Sequence, residues 1–175
     1  TEGQSVTFVY VDSTQGWINT MDSTSNVRGA KSLIATVSGA CNAIVTSGDY
    51  KTAVFKGPGA FCVSQVADCG ANNVLDYLVV AGGGGGGGGQ GGGGGAGGWR
   101  SYSSTPTSSP LNGPAGITVT ASPYPIAVGG GGTGAPYPTP VAQGTQGLTS
   151  TFATISSAGG GYGGNYNATP GPGAA

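Results

Sequence analysis

The stretch that decides the fold is DYLVVAGGGGGGGGQGGGGGAGGWRSYSS, residues 76–104, in which a strand-like segment passes directly into glycine. An ordered glycine loses about 1–2 kcal/mol of backbone freedom and has no side chain to offset that cost. Only backbone hydrogen bonds and close packing can compensate. A flexible tether would not need glycine this pure. The run therefore predicts packed glycine strands in preference to a floppy linker.

The passage from strand to glycine occurs three times. SPYPIAV at 122–128 runs into GGGG, and TFATISSA at 151–158 runs into GGGYGG. Such a repeat indicates a structural unit. A polyproline-II strand has three residues per turn and no internal hydrogen bonds, so its backbone groups face neighbouring strands. We expect a layer of this kind, with these structural glycines: Gly82, Gly89, Gly91, Gly98, Gly129, Gly132, Gly159 and Gly164.

The rest of the chain has strand signals and almost no helical periodicity. Alternating segments rich in β-branched and aromatic residues occupy Ser5–Asp12, Ser32–Val37, Asn42–Val66 and Val74–Ala81. The predicted fold is all-β, with short antiparallel strands that feed a packed, polyglycine-II-like glycine layer.

Three regions follow from this organisation. Residues 1–30 are expected to form an N-terminal β segment for attachment or a stem, with a turn at Thr14–Trp17. Residues 31–81 are expected to form a small meander of four or five strands. Residues 82–175 form the glycine-rich part, with loops that project from it.

Composition argues against several functions. Charged residues make up 6% of the chain and the net charge is −1, so no basic stripe could neutralise nucleic-acid phosphates. No apolar stretch reaches the roughly 18 residues that a membrane-spanning helix needs. The glycine run contains GxGxxG, but neither a helix signal nor a Lys-Ser/Thr pair follows it, so nucleotide binding is not expected. We predict no cofactor.

Catalysis is not expected either. The chain has no His to activate a serine. Paired carboxylates could cleave a glycan, but most of the acids lie in turn contexts where capping is their usual role: Glu2, Asp12, Asp22, Asp49, Asp68 and Asp76. Without His, a CxxC pair or a calcium loop, no metal site is predicted. Cys62 and Cys69 could close a hairpin loop as a disulfide; free thiols, with Cys41, are the favoured alternative.

Several motifs resemble the glycine-rich module of bacteriophage tail fibres and related virion adhesins. They are SVTFVYVDSTQGW, SGDYKTAVFKGPGAFCVS, DYLVVAGGGGGGGG, YPIAVGGGGTG and STFATISSAGGGYGG. The resemblance implies a fibre-type assembly, a homo-oligomer that is often a trimer, and contacts with other virion proteins. It also implies an extracellular position on the virion and contact with a glycan or protein of the host cell surface. It transfers no catalytic residue.

Loops on a rigid scaffold usually carry function, and aromatic rings with Arg suit sugars. The longest loop is expected at Trp99–Gly116, where Trp99, Arg100 and Tyr102 lie close together. The other candidate receptor-binding residues are Tyr137, Tyr162 and Tyr166. Packing over the glycine layer is the alternative role of each. Two functions remain open: a receptor-binding fibre segment or tip, and a purely structural self-assembling fibre or head-decoration protein.

Overall fold

A computed structural model describes residues 6–13, 16–22, 31–104, 115–136, 142–167 and 171. The predicted turn residues Thr14 and Gln15 and the candidate Tyr137 lie outside these ranges. The chain is all-β, as the sequence predicted, with antiparallel sheets. Its one described helical element is a short 3-10 turn at Gly70–Asn73.

Strands follow the alternating segments of the sequence. They are β1 (Val6–Asp12), β2 (Gly16–Asp22), β3 (Ile34–Val37), β4 (Ala43–Ser47), β5 (Tyr50–Val54), β6 (Gly59–Gln65), β7 (Val74–Leu75), β8 (Tyr77–Val80), β9 (Trp99–Tyr102), β10 (Ile117–Thr118), β11 (Pro123–Ala127), β12 (Ser150–Phe152) and β13 (Ile155–Ser157). β1 and β2 form a hairpin.

The central sheet has five strands in the order β13-β12-β11-β6-β3. β6 pairs with β3 on one side and with β11 on the other, while β4 and β5 form a separate hairpin. The order within 31–81 therefore differs from the expected meander, because strands on both sides of residue 81 pair with each other. β8 pairs with β9, and β7 pairs with β10.

The core lies where the central sheet meets the β8–β9 hairpin. Phe61 and Phe152 pack edge to face with ring centroids 6.5 Å apart, and Tyr124 packs edge to face on Phe152 at the same distance. Such aromatic pairs are favoured beyond the area that they bury. The other buried core residues are Val63, Tyr77, Val79 and Val119.

Five extended tracts continue from these strands within the described residues. We name them tract 1 (81–88), tract 2 (91–98), tract 3 (128–135), tract 4 (142–149) and tract 5 (158–165). Tracts 1, 3 and 5 lead away from β8, β11 and β13, whereas tracts 2 and 4 return to β9 and β12.

Hydrogen bonds join the tracts with a period of three. The amides of Ala81, Gly84 and Gly87 donate to tract 2, at the carbonyls of Gly98, Gly95 and Gly92 respectively.

The amides of Gly82, Gly85 and Gly88 in tract 1 donate to carbonyls of tract 4. Carbonyls of tract 1 accept from tracts 3 and 5. Three residues per turn is the periodicity of polyproline II. Tract 1 is thus the centre of a polyglycine-II-like lattice.

Candidate functional site

Glycine is required in the lattice because tracts approach each other backbone to backbone. A Cβ on Gly84 would overlap the carbonyl oxygen of Gly161, and one on Gly85 would overlap that of Thr133. Five of the predicted structural glycines are blocked in the same way by backbone oxygens of a neighbouring tract: Gly82, Gly91, Gly129, Gly132 and Gly159. No side chain fits at these positions without displacing a backbone.

The other predicted glycines have different roles. Gly89 turns the chain between tracts 1 and 2 with φ +64°, a left-handed conformation that glycine adopts without a steric penalty. Gly164 supplies the carbonyl that blocks Gly91, and this carbonyl also accepts the amide of Gly92 at 2.9 Å. Gly98 both accepts from Ala81 and donates to Ala158, at 2.9 and 2.8 Å.

Tract 4 belongs to the lattice although it contains no run of glycines, and the sequence analysis did not predict it. Its sequence AQGTQGLT carries only two glycines, Gly144 and Gly147. They stand three residues apart and lie directly against the carbonyls of Gly85 and Gly82. Because one residue in three faces the centre of the lattice, Gly-x-x-Gly is the signal that could have identified this tract.

The ends of four tracts meet at the end of the lattice that lies away from the sheets. There tract 1 turns into tract 2 through Gly89, and the Gly88 amide donates to Ala142 at the start of tract 4. At the same end, Gly92 donates to Gly164 near the end of tract 5. We call this end the glycine end.

The glycine end carries one of the predicted tyrosines on its surface. Tyr166 directly follows tract 5 and is 62% exposed. The turn beneath it is held by buried Asn165, whose side-chain oxygen accepts the amide of Asn167 at 2.9 Å. Tyr137 belongs to the connection between tracts 3 and 4 and is outside the described residues. Tyr166 is therefore the described side chain best placed for a partner at this end.

Trp99, Arg100 and Tyr102 lie in strand β9 and not in the loop that the sequence suggested. Tyr102 is paired with Tyr77 and Arg100 with Val79, whereas Trp99 is paired with Val80. Since side chains alternate across a strand, Arg100 and Tyr102 share one face and Trp99 is on the other. These three neighbours in sequence cannot form one binding surface.

Tyr102 has a packing role. Its ring stacks on that of buried Tyr77, with centroids 6.2 Å apart and planes inclined by 25°. The Arg100 guanidinium donates to the backbone carbonyl of Trp99 at 3.1 Å. Trp99 itself is 40% exposed. Of the three, Trp99 is the one whose side chain is available to a partner.

Tyr162 also packs against the chain. It is half-buried within tract 5, its carbonyl accepts the Gly171 amide at 2.9 Å, and its ring lies against the Cα of Gly171. Trp99 pairs with Val80, which precedes tract 1, whereas the glycine end lies at the other end of that tract. At the polyproline-II rise of 3.1 Å per residue, the length of tract 1 places them about 20 Å apart. The predicted residues therefore form two separate groups.

Titratable residues do not gather into a site in the part that the structure describes. No group of three or more Asp, Glu, Cys or His there could hold a metal ion. Cys41, Cys62 and Cys69 are free thiols. Among the described residues, no helix is long and apolar enough to cross a membrane.

Residues 57–175 match the model of a family described as a glycine-rich domain. No curated protein and no solved structure matches the chain. The matched region contains all five tracts and most of the central sheet. The chain therefore belongs to the glycine-rich domain family.

Proposed function

We propose that this chain is a structural fibre protein of a bacteriophage virion, a tail-fibre segment or tip whose glycine end binds the host cell surface. The observation that carries the proposal is the meeting of the ends of tracts 1, 2, 4 and 5 at one end of a backbone-bonded lattice. A rigid scaffold that presents loops at one end is a common design for recognition. The phage assignment rests on the resemblance of the sequence motifs to tail-fibre modules.

A surface glycan or protein of the host is the partner that this end suits. Exposed Tyr166 offers an aromatic face for the C–H groups of a sugar, and the sequence between tracts 3 and 4 contains Tyr137. No role in catalysis is proposed, and the other partners are virion proteins and further copies of the chain.

Binding of the purified, labelled protein to a panel of bacterial cells and extracted surface glycans tests the proposal. We expect Tyr166→Ala to abolish binding. Tyr50→Ala is the matched control, because Tyr50 is 79% exposed on the β4–β5 hairpin and is not part of the lattice. Both variants should melt at the wild-type temperature. Loss of binding in both variants, or in neither, would refute a receptor site at the glycine end.

The alternative is a self-assembling fibre or head-decoration protein that binds no receptor. The exposure of tract 2, where residues 92–96 are all exposed, favours it. Under this alternative the protein binds no cell in the panel yet forms rods or filaments that electron microscopy detects.

A further inference from the structure

Three tracts meet at several carbonyls of the lattice. The Gly161 carbonyl lies against the Cα of Gly84 and also accepts the amide of Gly95 at 2.8 Å. Thr133, Gly164, Leu148 and Thr145 have carbonyls placed in the same way, each against a glycine of one tract and bonded to an amide of another. Each such carbonyl therefore belongs to a junction of three strands.

Two carbonyls of tract 1 have only part of this junction. The carbonyl of Gly84 lies against the Cα of Gly94, and the carbonyl of Ala81 lies against the Cα of Gly97; both of these glycines are in tract 2. Neither carbonyl accepts an amide from any residue that the structure describes. They are three residues apart, so they form a row with the polyproline-II repeat. The third strand of this junction is not supplied by the described part of the chain.

The surroundings of Gly83 and Gly86 also indicate that a strand is missing beside tract 1. A Cβ on Gly83 or Gly86 would approach only tract 2, no closer than 3.5 and 3.7 Å, which is ordinary contact. Their amides donate to no described residue. The described part of the chain thus gives no steric reason for glycine at these two positions, in contrast with Gly82, Gly84 and Gly85. A second backbone that approaches from outside would give one.

The surface continues onto an apolar face of the β8–β9 hairpin. The inner face of this hairpin, with Tyr77 and Val79, packs toward β12 and β13, which lead to tracts 4 and 5. Its outer face carries Leu78, Val80 and Trp99, which are 65%, 55% and 40% exposed. This outer face is therefore on the side of tract 1 that tracts 4 and 5 leave open. We call the outer face together with the partly exposed residues Gly83, Gly84, Gly86 and Gly87 the open groove.

We propose that the open groove binds tract 2 of a second copy of this chain. Tract 2 is a glycine-rich strand of the same conformation, and residues 92–96 are exposed. The amides of Gly93 and Ala96 stand three residues apart and donate to no described residue, so their spacing matches the carbonyl row. With a net charge of −1, two copies do not repel each other strongly.

The two surfaces are different parts of the chain, so the contact is head to tail and leads to a ring or a filament. This inference does not depend on what the glycine end binds. It predicts self-association of the pure protein without cells or ligand.

The test compares sedimentation velocity of the wild type, the double variant Gly83→Ala/Gly86→Ala and the control Gly70→Ala across a concentration series. Gly70 lies outside the lattice, and its Cβ position is open. We expect the wild type and control to form concentration-dependent oligomers. The double variant should associate at least about tenfold more weakly, because its methyl groups occupy the groove.

At a concentration where both are monomeric, the double variant should not unfold more easily than the wild type, because alanine restricts the unfolded chain and fits the folded one. Unchanged stability therefore shows that weaker association comes from the blocked groove and not from a damaged fold. A wild type that remains monomeric at every concentration would overturn the proposal. So would oligomers that the double variant retains in full.

Discussion

The amide of Gly84 donates to the carbonyl of Gly95 at 2.8 Å, while the Cα of Gly84 lies against the carbonyl of Gly161. One residue thus joins tracts 1, 2 and 5 without any side chain. The same arrangement recurs one polyproline-II turn later, where Gly87 donates to Gly92 at 2.9 Å and lies against Gly164. The core of the lattice is made of backbone atoms. Whether a glycine in it tolerates substitution therefore depends on the direction in which an added Cβ would point.

We predict that Gly84→Ala destabilises the protein by about 2 kcal/mol or more, because the methyl group must displace a backbone strand. Gly86→Ala is the matched control two residues away, where the methyl group fits. At a concentration where the protein is monomeric, the control should equal or slightly exceed the wild-type stability. Chemical denaturation of the three proteins measures the difference. Equal stabilities of the two variants would contradict the described direction of the Cβ positions.

The turn at the glycine end predicts a conformational effect rather than a steric one. Gly89 has φ +64°, so Gly89→Ala should cost about 1–2 kcal/mol. Gly89→Asn should recover part of that loss, because asparagine tolerates the left-handed region better than alanine. Thermal unfolding of both variants gives the comparison. If alanine and asparagine cost the same, the strain at this turn is not what limits stability.

Much of this fold could be predicted from residue patterns, and the failures have physical causes. Alternation located β3, β6 and β8, and the glycine runs located tracts 1, 2, 3 and 5. Alternation does not specify strand partners, so the pairing of β6 with β11 could not be predicted. It also does not show that Trp99 and Tyr102 lie on opposite faces until their segment is known to be a strand. Tract 4 was missed because its glycines are spaced by three.

Buried Asn73 predicts a large effect in the sheet region. Its side-chain oxygen accepts the Ala67 amide at 2.7 Å and its side-chain nitrogen donates to the Ala67 carbonyl at 2.9 Å. Asn73→Ala leaves both buried backbone groups without a partner, which should cost about 1–3 kcal/mol for each group. Asn72→Ala is the control, since Asn72 is exposed. The denaturant midpoint should fall for Asn73→Ala and not for Asn72→Ala. A fall in both variants would mean that damage to the short 3-10 turn, and not the loss of the Asn73 hydrogen bonds, lowers the stability.

Tyr124 predicts a change at alkaline pH. Its hydroxyl is hydrogen-bonded by the side chains of Ser122 and Thr120, and the Thr120 amide donates to it at 2.7 Å. These bonds favour the phenolate, with the Ser122 contact as the largest cause, so the pKa of Tyr124 lies below its ordinary value. A lowered pKa means that unfolding takes up a proton between the folded pKa and the unfolded value of about 10.

The added stability from the Tyr124 phenolate is therefore full above the unfolded pKa and is lost as the pH falls through the folded pKa. We expect Tyr124→Phe to remove a step of tyrosinate absorbance from the low-pH edge of the titration curve, because the pKa of Tyr124 is lowered. Ser122→Ala should move the step to higher pH while the hydroxyl remains, because the largest stabilising contact is gone. A titration curve that Tyr124→Phe leaves unchanged at its low-pH edge would contradict the lowered pKa of Tyr124.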